Sequence, residues 1–150
     1  MKLVAVRYLD GRVVKGRTAD FKPAVPVFHV RADDGTATTV EARDLKAVFF
    51  IRTAEGKPDH EERKDFGSKN TAEKKIWIEF IDGEQLAGWS SSFASGKGFF
   101  FTPTDPQSNL ERAYVYKDAV LQILEGAEAE AAAAAYRPRG RSGIGPAESF

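Results

Sequence analysis

The sequence repeats itself after 72 positions, and this repeat constrains the fold more than any other feature. Seven residues reappear at that offset: Val6, Tyr8, Asp10, Gly11, Val14, Gly16 and Phe21 correspond to Ile78, Phe80, Asp82, Gly83, Leu86, Gly88 and Phe93. Without a gap, the same offset relates Phe28 to Phe100, Asp33 to Asp105, Ala47 to Ala119, Val48 to Val120 and Ile51 to Ile123. Two copies of one supersecondary unit must share an element order. We therefore expect the chain to fold as two similar halves.

Each copy has the pattern of five short strands. Apolar and polar residues alternate around the Asp-Gly pairs at positions 10–11 and 82–83, which is typical of β-hairpins. Gly16 and Gly88 lie inside the second strand of each copy, where a glycine marks a sharp bend. Further strands are predicted near residues 27–32, 38–42 and 44–51, with counterparts in the second copy. The predicted fold is all-β, with two tandem five-stranded barrels packed through their aromatic faces.

Composition divides the chain into four predicted segments: a first small β-barrel at residues 1–53, a linker at 54–75, a second small β-barrel at 76–124, and a C-terminal segment at 125–150. The linker is polar and contains Phe66 as its large apolar residue. In the last segment, an alanine run favours a helix, whereas the Gly, Pro and Arg content after it favours a disordered tail.

The net charge of zero conceals two oppositely charged halves. Residues 1–53 contain ten Lys and Arg against six Asp and Glu, a net charge of +4, whereas residues 76–124 contain three against six, a net charge of −3. Opposite charges favour docking of the halves or head-to-tail association of chains. The sequence has no cysteine and no apolar run long enough for a membrane span, so we expect a cytoplasmic protein.

Two stretches of the second copy, IEFIDGEQLAGWSSSF and YVYKDAVLQI, carry a family resemblance. They resemble the Sm/LSm-like fold, which includes a bacterial RNA chaperone, and the first copy is similar through VRYLDGRVVKGRTADF and RDLKAVFFI. SH3-like barrels share these hairpin features. The chain is also similar to bacterial domains of unknown function with GRxxKGxTxDF and GFFxxPxDP segments. Resemblance to the chaperone implies Sm-like barrels in a six-membered ring that binds uridine-rich RNA through Tyr116 and Lys117, although Asp118 replaces the histidine of that motif.

The sequence contains no recognisable catalytic constellation. It has no cysteine, no Gly-rich phosphate loop and no serine nucleophile elbow. Asp10 and Asp82 each precede a glycine and are interpreted as turn residues. His60 lies in the charged linker, where adjacent acidic residues cannot readily face one ion. We expect a protein that is not an enzyme and that holds neither a metal nor a cofactor.

Three consecutive phenylalanines, Phe99–Phe101, cannot all enter one small core, because successive strand residues point to opposite faces. With Trp89 and Phe93 they predict an aromatic patch. Such a patch either binds a partner or packs against the other barrel or the linker. Phe49 and Phe50 offer a matching surface on the other barrel.

These features lead to three functional hypotheses. The first is a regulatory or scaffold module that binds a protein partner, or a second copy of itself, through strand edges or the aromatic patch. The second is single-stranded RNA binding. The third is cyclic-dinucleotide sensing, because the spacing of Arg137 and Arg141 resembles the RxxxR element of PilZ domains. The candidate binding residues are Trp89, Phe93, Phe99, Phe101, Tyr116, Lys117, Arg12, Lys15, Arg17, Arg43 and Lys46.

Overall fold

A computed structural model of the protein describes residues 1–67, 72–91, 93 and 96–137. Its ten strands are β1 (Lys2–Tyr8), β2 (Val13–Thr18), β3 (Val27–Arg31), β4 (Ala37–Glu41), β5 (Leu45–Ile51), β6 (Lys74–Phe80), β7 (Gln85–Ser90), β8 (Gly98–Pro103), β9 (Leu110–Tyr116) and β10 (Val120–Glu125). One helix, α1 (Ala127–Ala135), follows β10. The predicted β class and C-terminal helix are confirmed, whereas the predicted disordered tail lies outside the described residues.

All ten strands belong to one antiparallel sheet in the order β10-β6-β7-β8-β9-β5-β1-β2-β3-β4. The two halves share a strand order, since β5-β1-β2-β3-β4 corresponds to β10-β6-β7-β8-β9. They are joined where β5 pairs with β9, so that Ala47 lies opposite Val115. This open sheet does not confirm the predicted pair of barrels: the halves are joined edge to edge rather than packed face to face. The pairing satisfies backbone groups that two separate sheets would leave exposed.

Strand pairing shows that the offset of 72 holds for the first two strands of each half only. In the third strand, Arg31 pairs with Arg17 and Thr102 pairs with Trp89. Because Arg17 and Trp89 are equivalent, Arg31 corresponds to Thr102. In the fifth strand, Val48 pairs with Val6 and Ile123 pairs with Ile78. Because Val6 and Ile78 are equivalent, Val48 corresponds to Ile123. The offset is therefore 71 in the third strand and 75 in the fifth, and the loop between β8 and β9 has four extra residues. The ungapped matches are wrong beyond the hairpin: Phe28 with Phe100, Asp33 with Asp105, Ala47 with Ala119, Val48 with Val120 and Ile51 with Ile123.

The predicted Asp-Gly turns are confirmed between β1 and β2 and between β6 and β7. Gly11 has φ 96° and Gly83 has φ 93°, a region that glycine enters without steric cost. Asp10 accepts a hydrogen bond through Oδ1 from the Arg12 N–H at 2.9 Å, and Asp82 stabilises the second turn in the same way. The turn aspartates therefore have a structural role, as the sequence predicts.

The glycines inside β2 and β7 are required by a close approach of the third strand. A Cβ at Gly16 would lie 2.4 Å from the Arg31 carbonyl oxygen, and a Cβ at Gly88 would lie 2.1 Å from the Thr102 carbonyl oxygen. Any larger residue would separate the second and third strands of that half.

The main hydrophobic core contains residues of both halves. Its buried members are Ala5, Ala47, Phe49 and Ile51 from the first half and Ile76, Ile78, Phe80, Leu86, Phe99, Phe101, Leu110, Ala113, Val115 and Ala119 from the second. A second cluster crosses the β5–β9 junction through Phe28, Phe50 and Tyr114. The halves therefore depend on each other for burial of their apolar surface.

Helix α1 covers one face of the second half. Ala129 is fully buried in a third cluster that contains Phe66, Trp77 and Trp89. The small alanine side chain lets the helix approach the tryptophan rings closely. The described ranges contain no helix that is both long and apolar enough to span a membrane.

Candidate interaction edges and the junction between the halves

The two outermost strands of the sheet are β4 and β10, and within the described residues no strand pairs with their outer sides. Of the β4 residues, Val40 is buried, whereas Ala37, Thr39 and Glu41 are exposed. On β10, the Leu121 side chain is 62% exposed. The outward backbone N–H and C=O groups of such strands can pair with another chain.

The inner junction shows how this sheet joins two edges. All seven residues of β5 are buried. Phe49 lies opposite Ala113, and Phe50 lies opposite Arg112. The Arg112 guanidinium lies 5.2 Å from the centre of the Phe50 ring and 4.4 Å from that of Phe100. Backbone pairing, apolar packing and cation–π contacts therefore act together across this junction.

A buried ionic cluster closes one end of the junction. Lys46 on β5 is 2% exposed, and its Nζ lies 2.6 Å from Asp82 Oδ2 and 2.5 Å from Glu84 Oε1. The same Nζ lies 4.5 Å from the centre of the Phe80 ring. Burial opposes ionisation of Asp82, but hydrogen bonds from Lys46 and from the Glu84 N–H outweigh it and hold the pKa of Asp82 below its usual value. Lys46 therefore links β5 to the turn between β6 and β7.

Tyr114 is the centre of an aromatic cluster on the same junction. Its ring centre lies 5.0 Å from that of Phe100, 5.2 Å from that of Tyr116 and 5.8 Å from that of Phe21. The Tyr116 hydroxyl is buried and has no hydrogen-bond partner among the described residues, and burial raises the pKa of Tyr116 well above its usual value. Tyr116 is thus part of the packing and does not present its hydroxyl to solvent.

The predicted basic residues are not all at the surface. Arg12, Lys15, Arg17 and Arg43 are exposed, whereas Lys46 is buried against Asp82 and Glu84. Three of the exposed cations already have partners within the chain, one of them Arg43, whose Nη2 lies 3.4 Å from Glu41 Oε1. Arg12 Nε lies 2.8 Å from Asp10 Oδ2, and Lys15 Nζ donates a hydrogen bond to the Ala54 carbonyl oxygen.

The predicted aromatic residues are mostly internal. Trp89, Phe99 and Phe101 are buried, and the Trp89 ring packs against Phe66 of the linker. Phe93 is half-buried against Phe99. Trp89 is covered by the linker and α1. Phe99 and Phe101 are buried in the main core, and Phe93 packs against it. Lys117 is also half-buried, at the end of β9.

The predicted linker is packed against the loop between β8 and β9. His60 Nε2 lies 2.6 Å from Asp105 Oδ2 and 3.8 Å from Glu62 Oε1. The N–H groups of Arg63 and Gln107 donate hydrogen bonds to the Asp105 carboxylate, each at 2.8 Å. Burial opposes ionisation of Asp105, but these donors outweigh it and lower its pKa.

His60, Glu62 and Asp105 could hold a metal ion, since one ligand atom from each lies within 4.8 Å of the others. The sequence interpretation considered the acidic neighbours of His60 in the linker and missed Asp105. Asp105 lies in the loop between β8 and β9, which has four residues more than its counterpart in the first half.

Of the two arginines proposed for a cyclic dinucleotide, Arg137 lies within the described residues and Arg141 does not. Arg137 is exposed and donates hydrogen bonds from Nη1 to the carbonyl oxygens of Ala134 and Tyr136. Arg139 and Arg141 lie outside the described residues. Sequence reasoning gave no weight to Leu121, and its exposure became apparent only when β10 was found at the end of the sheet.

A family model described as a family of unknown function (DUF6982) matches residues 1–126. The matched range contains all ten strands and ends before α1. No curated protein and no solved structure matches the chain.

Proposed function

Because this chain belongs to the family of unknown function DUF6982, we propose its role from its geometry: a non-catalytic scaffold module that binds protein by pairing strands at the edges of its sheet. The pairing of β5 with β9 is the observation that supports this function. One edge of each half is already used in this way, and the other two edges, β4 and β10, are available. Main-chain hydrogen bonds would supply affinity, and alternate side chains would supply specificity.

The proposal favours strand edges over the other surfaces that the sequence suggests. Binding of a partner through the aromatic patch is disfavoured because Trp89, Phe99 and Phe101 are buried. RNA binding is disfavoured because Lys46 is buried and Arg12 forms an ion pair with Asp10 of the same turn. We extend the proposal to the fold of each half, which would be an Sm-like unit whose edges serve assembly rather than RNA binding.

The experiment removes one outward N–H group from each outer strand. The N–H groups of successive residues in a strand point alternately to its two sides. The Ala42 N–H donates a hydrogen bond to the Pro26 carbonyl oxygen, on the side of β3. Thr39 is three residues away, so its N–H points outward. Gly126 N–H bonds to the Lys75 carbonyl oxygen, so the Glu125 N–H also points outward. Thr39→Pro and Glu125→Pro block the two edges, and Thr39→Ala and Glu125→Ala are matched controls that keep the N–H groups.

The readout is the size of the tagged protein in an extract of the cells that naturally make it, measured by size-exclusion chromatography. We expect the wild type and both alanine variants to elute well above the 16.5 kDa of one chain. At least one proline variant should elute as a single chain while keeping the circular dichroism spectrum of the wild type. Complexes of unchanged size in both folded proline variants, or a wild type that elutes as a single chain, would reject the proposal.

A further inference from the structure

We infer that the partner is a second copy of this chain, bound head to tail, with β10 of one molecule paired to β4 of the next. This inference rests on the proposed function and names its partner. The inner junction provides the template. Strand β10 of the second half corresponds to β5 of the first half, and β4 of the first half corresponds to β9 of the second. Since β5 and β9 pair inside the chain, the free edges of β10 and β4 resemble two edges that already pair.

The strand registers specify how the two copies would pair. In the inner junction, Phe49 lies opposite Ala113. The offset of 75 in the fourth and fifth strands relates Phe49 to Leu124 and Ala113 to Thr38. Applied along the whole junction, it gives four pairs between molecules: Gln122 with Val40, Ile123 with Thr39, Leu124 with Thr38 and Glu125 with Ala37.

This pairing predicts a specific new environment for Leu121. It occupies the position of Lys46, which lies against Phe80 and Glu84 at the inner junction. Lys46 also pairs with Asp82 there. The corresponding residues of the first half are Tyr8, Asp10 and Arg12. Head-to-tail pairing would therefore place Leu121 beside the Arg12 guanidinium, which lies 4.3 Å from the centre of the Tyr8 ring. An apolar side chain that is 62% exposed in the single chain would become covered.

Charge favours the same arrangement. The contact joins the second half of one molecule, with a net charge of −3 over residues 76–124, to the first half of the next, with a net charge of +4 over residues 1–53. Complementary potentials promote association and disfavour contacts between like halves. A heterologous contact of this kind leaves one free edge at each end, so association continues until a ring closes or a filament forms.

The test uses the purified full chain and a charge pair that copies the inner junction. Leu121→Lys places a cation beside the Arg12 guanidinium, which already pairs with Asp10, the counterpart of Asp82, at 2.8 Å. The added cation should therefore raise the dissociation constant at least tenfold. Adding Arg12→Glu recreates the pairing of Lys46 with Glu84 and should restore association to within a few-fold of the wild type. Ile81→Lys is the matched control, since Ile81 is an aliphatic residue of the same half with 58% exposure and lies in the turn before β7 rather than on β10.

The measurement is mass by sedimentation velocity over a range of concentrations. We expect multiples of 16.5 kDa for the wild type and for Ile81→Lys. A wild type that remains a single chain at the highest concentration would overturn the inference, as would Leu121→Lys assemblies of unchanged affinity. The two proposals fail separately: if the purified chain stays single while the proline variants still lose their complex in extracts, the partner is another protein and edge pairing stands.

Discussion

At the scale of single residues, Lys46 shows how position in the sheet overrides residue type. Lysine is almost never fully buried unless it is paired, and here the residue is 2% exposed between Asp82 and Glu84. Those two acidic residues lie 36 and 38 positions further along the chain. Both carboxylates and the Phe80 ring face this cation, and their attraction offsets the cost of burying it.

We predict that Lys46→Met destabilises the protein by about 3 kcal/mol at neutral pH, because it leaves Glu84 and part of Asp82 buried without their cation. Lys15→Met is the matched control, since Lys15 is exposed and its loss should change stability by less than about 0.5 kcal/mol. Urea denaturation of both variants measures the difference. A Lys46→Met variant as stable as its control would mean that the cluster contributes nothing.

The same variant has a defined pH dependence. The pKa of Asp82 is lowered in the folded state, so the stability that it contributes is present above about pH 4 and is lost as the pH falls through the lowered value. The destabilisation caused by Lys46→Met should therefore shrink between pH 7 and pH 3. A difference that grows on acidification would contradict this assignment.

At the scale of elements, the loop between β8 and β9 holds the described first part of the linker, residues 54–67, against the sheet. Beyond Asp105, Asn109 accepts a hydrogen bond from the Thr53 N–H and donates one to the Thr53 carbonyl oxygen, both at 3.0 Å. Thr104 Oγ1 donates a hydrogen bond to the Arg63 carbonyl oxygen. The first half has a loop that is four residues shorter, so the two halves differ where the linker docks.

We predict that Asp105→Asn loosens the linker without unfolding the sheet. The amide cannot accept all the hydrogen bonds from His60, Arg63 and Gln107, and the loss of one charged acceptor costs about 2 kcal/mol. Trypsin should then cut after Arg63 several times faster than in the wild type. Asp34→Asn in the shorter loop is the control and should leave the rate unchanged. Equal rates in the two variants would show that the loop does not hold the linker.

At the scale of the whole molecule, the sheet behaves as one unit because β5 and β9 share its centre. Ala47 and Phe49 of the first half are buried in the same core as Ile78 and Phe101 of the second. Separation of the halves would expose this core and the backbone of both central strands.

We therefore predict a single unfolding transition. Val6→Ala, a core change in the first half, should lower stability by about 2 kcal/mol. Both tryptophans, Trp77 and Trp89, lie in the second half, so tryptophan fluorescence reports on that half alone. The fluorescence midpoint should shift together with the far-ultraviolet circular dichroism midpoint. A fluorescence transition that the variant leaves in place would show that the halves unfold separately.

Local features were largely predictable because neighbouring residues determine them. The hairpins at Gly11 and Gly83 follow from turn chemistry, and α1 follows from alanine propensity. The single offset along the repeat was not a safe guide beyond Gly88. Extra residues in the loop before β9 change no local pattern, although they move every later strand by several positions.

The sequence by itself determined the strand content, the turns, the order of elements and the opposite charge of the halves. Only the tertiary structure decided that β5 pairs with β9, that Lys46 and Trp89 are buried, and that β4 and β10 remain at the edges. The reason is physical. Periodicity and turn residues act over a few positions, whereas the choice of a strand's neighbour depends on contacts between residues that are far apart in the chain.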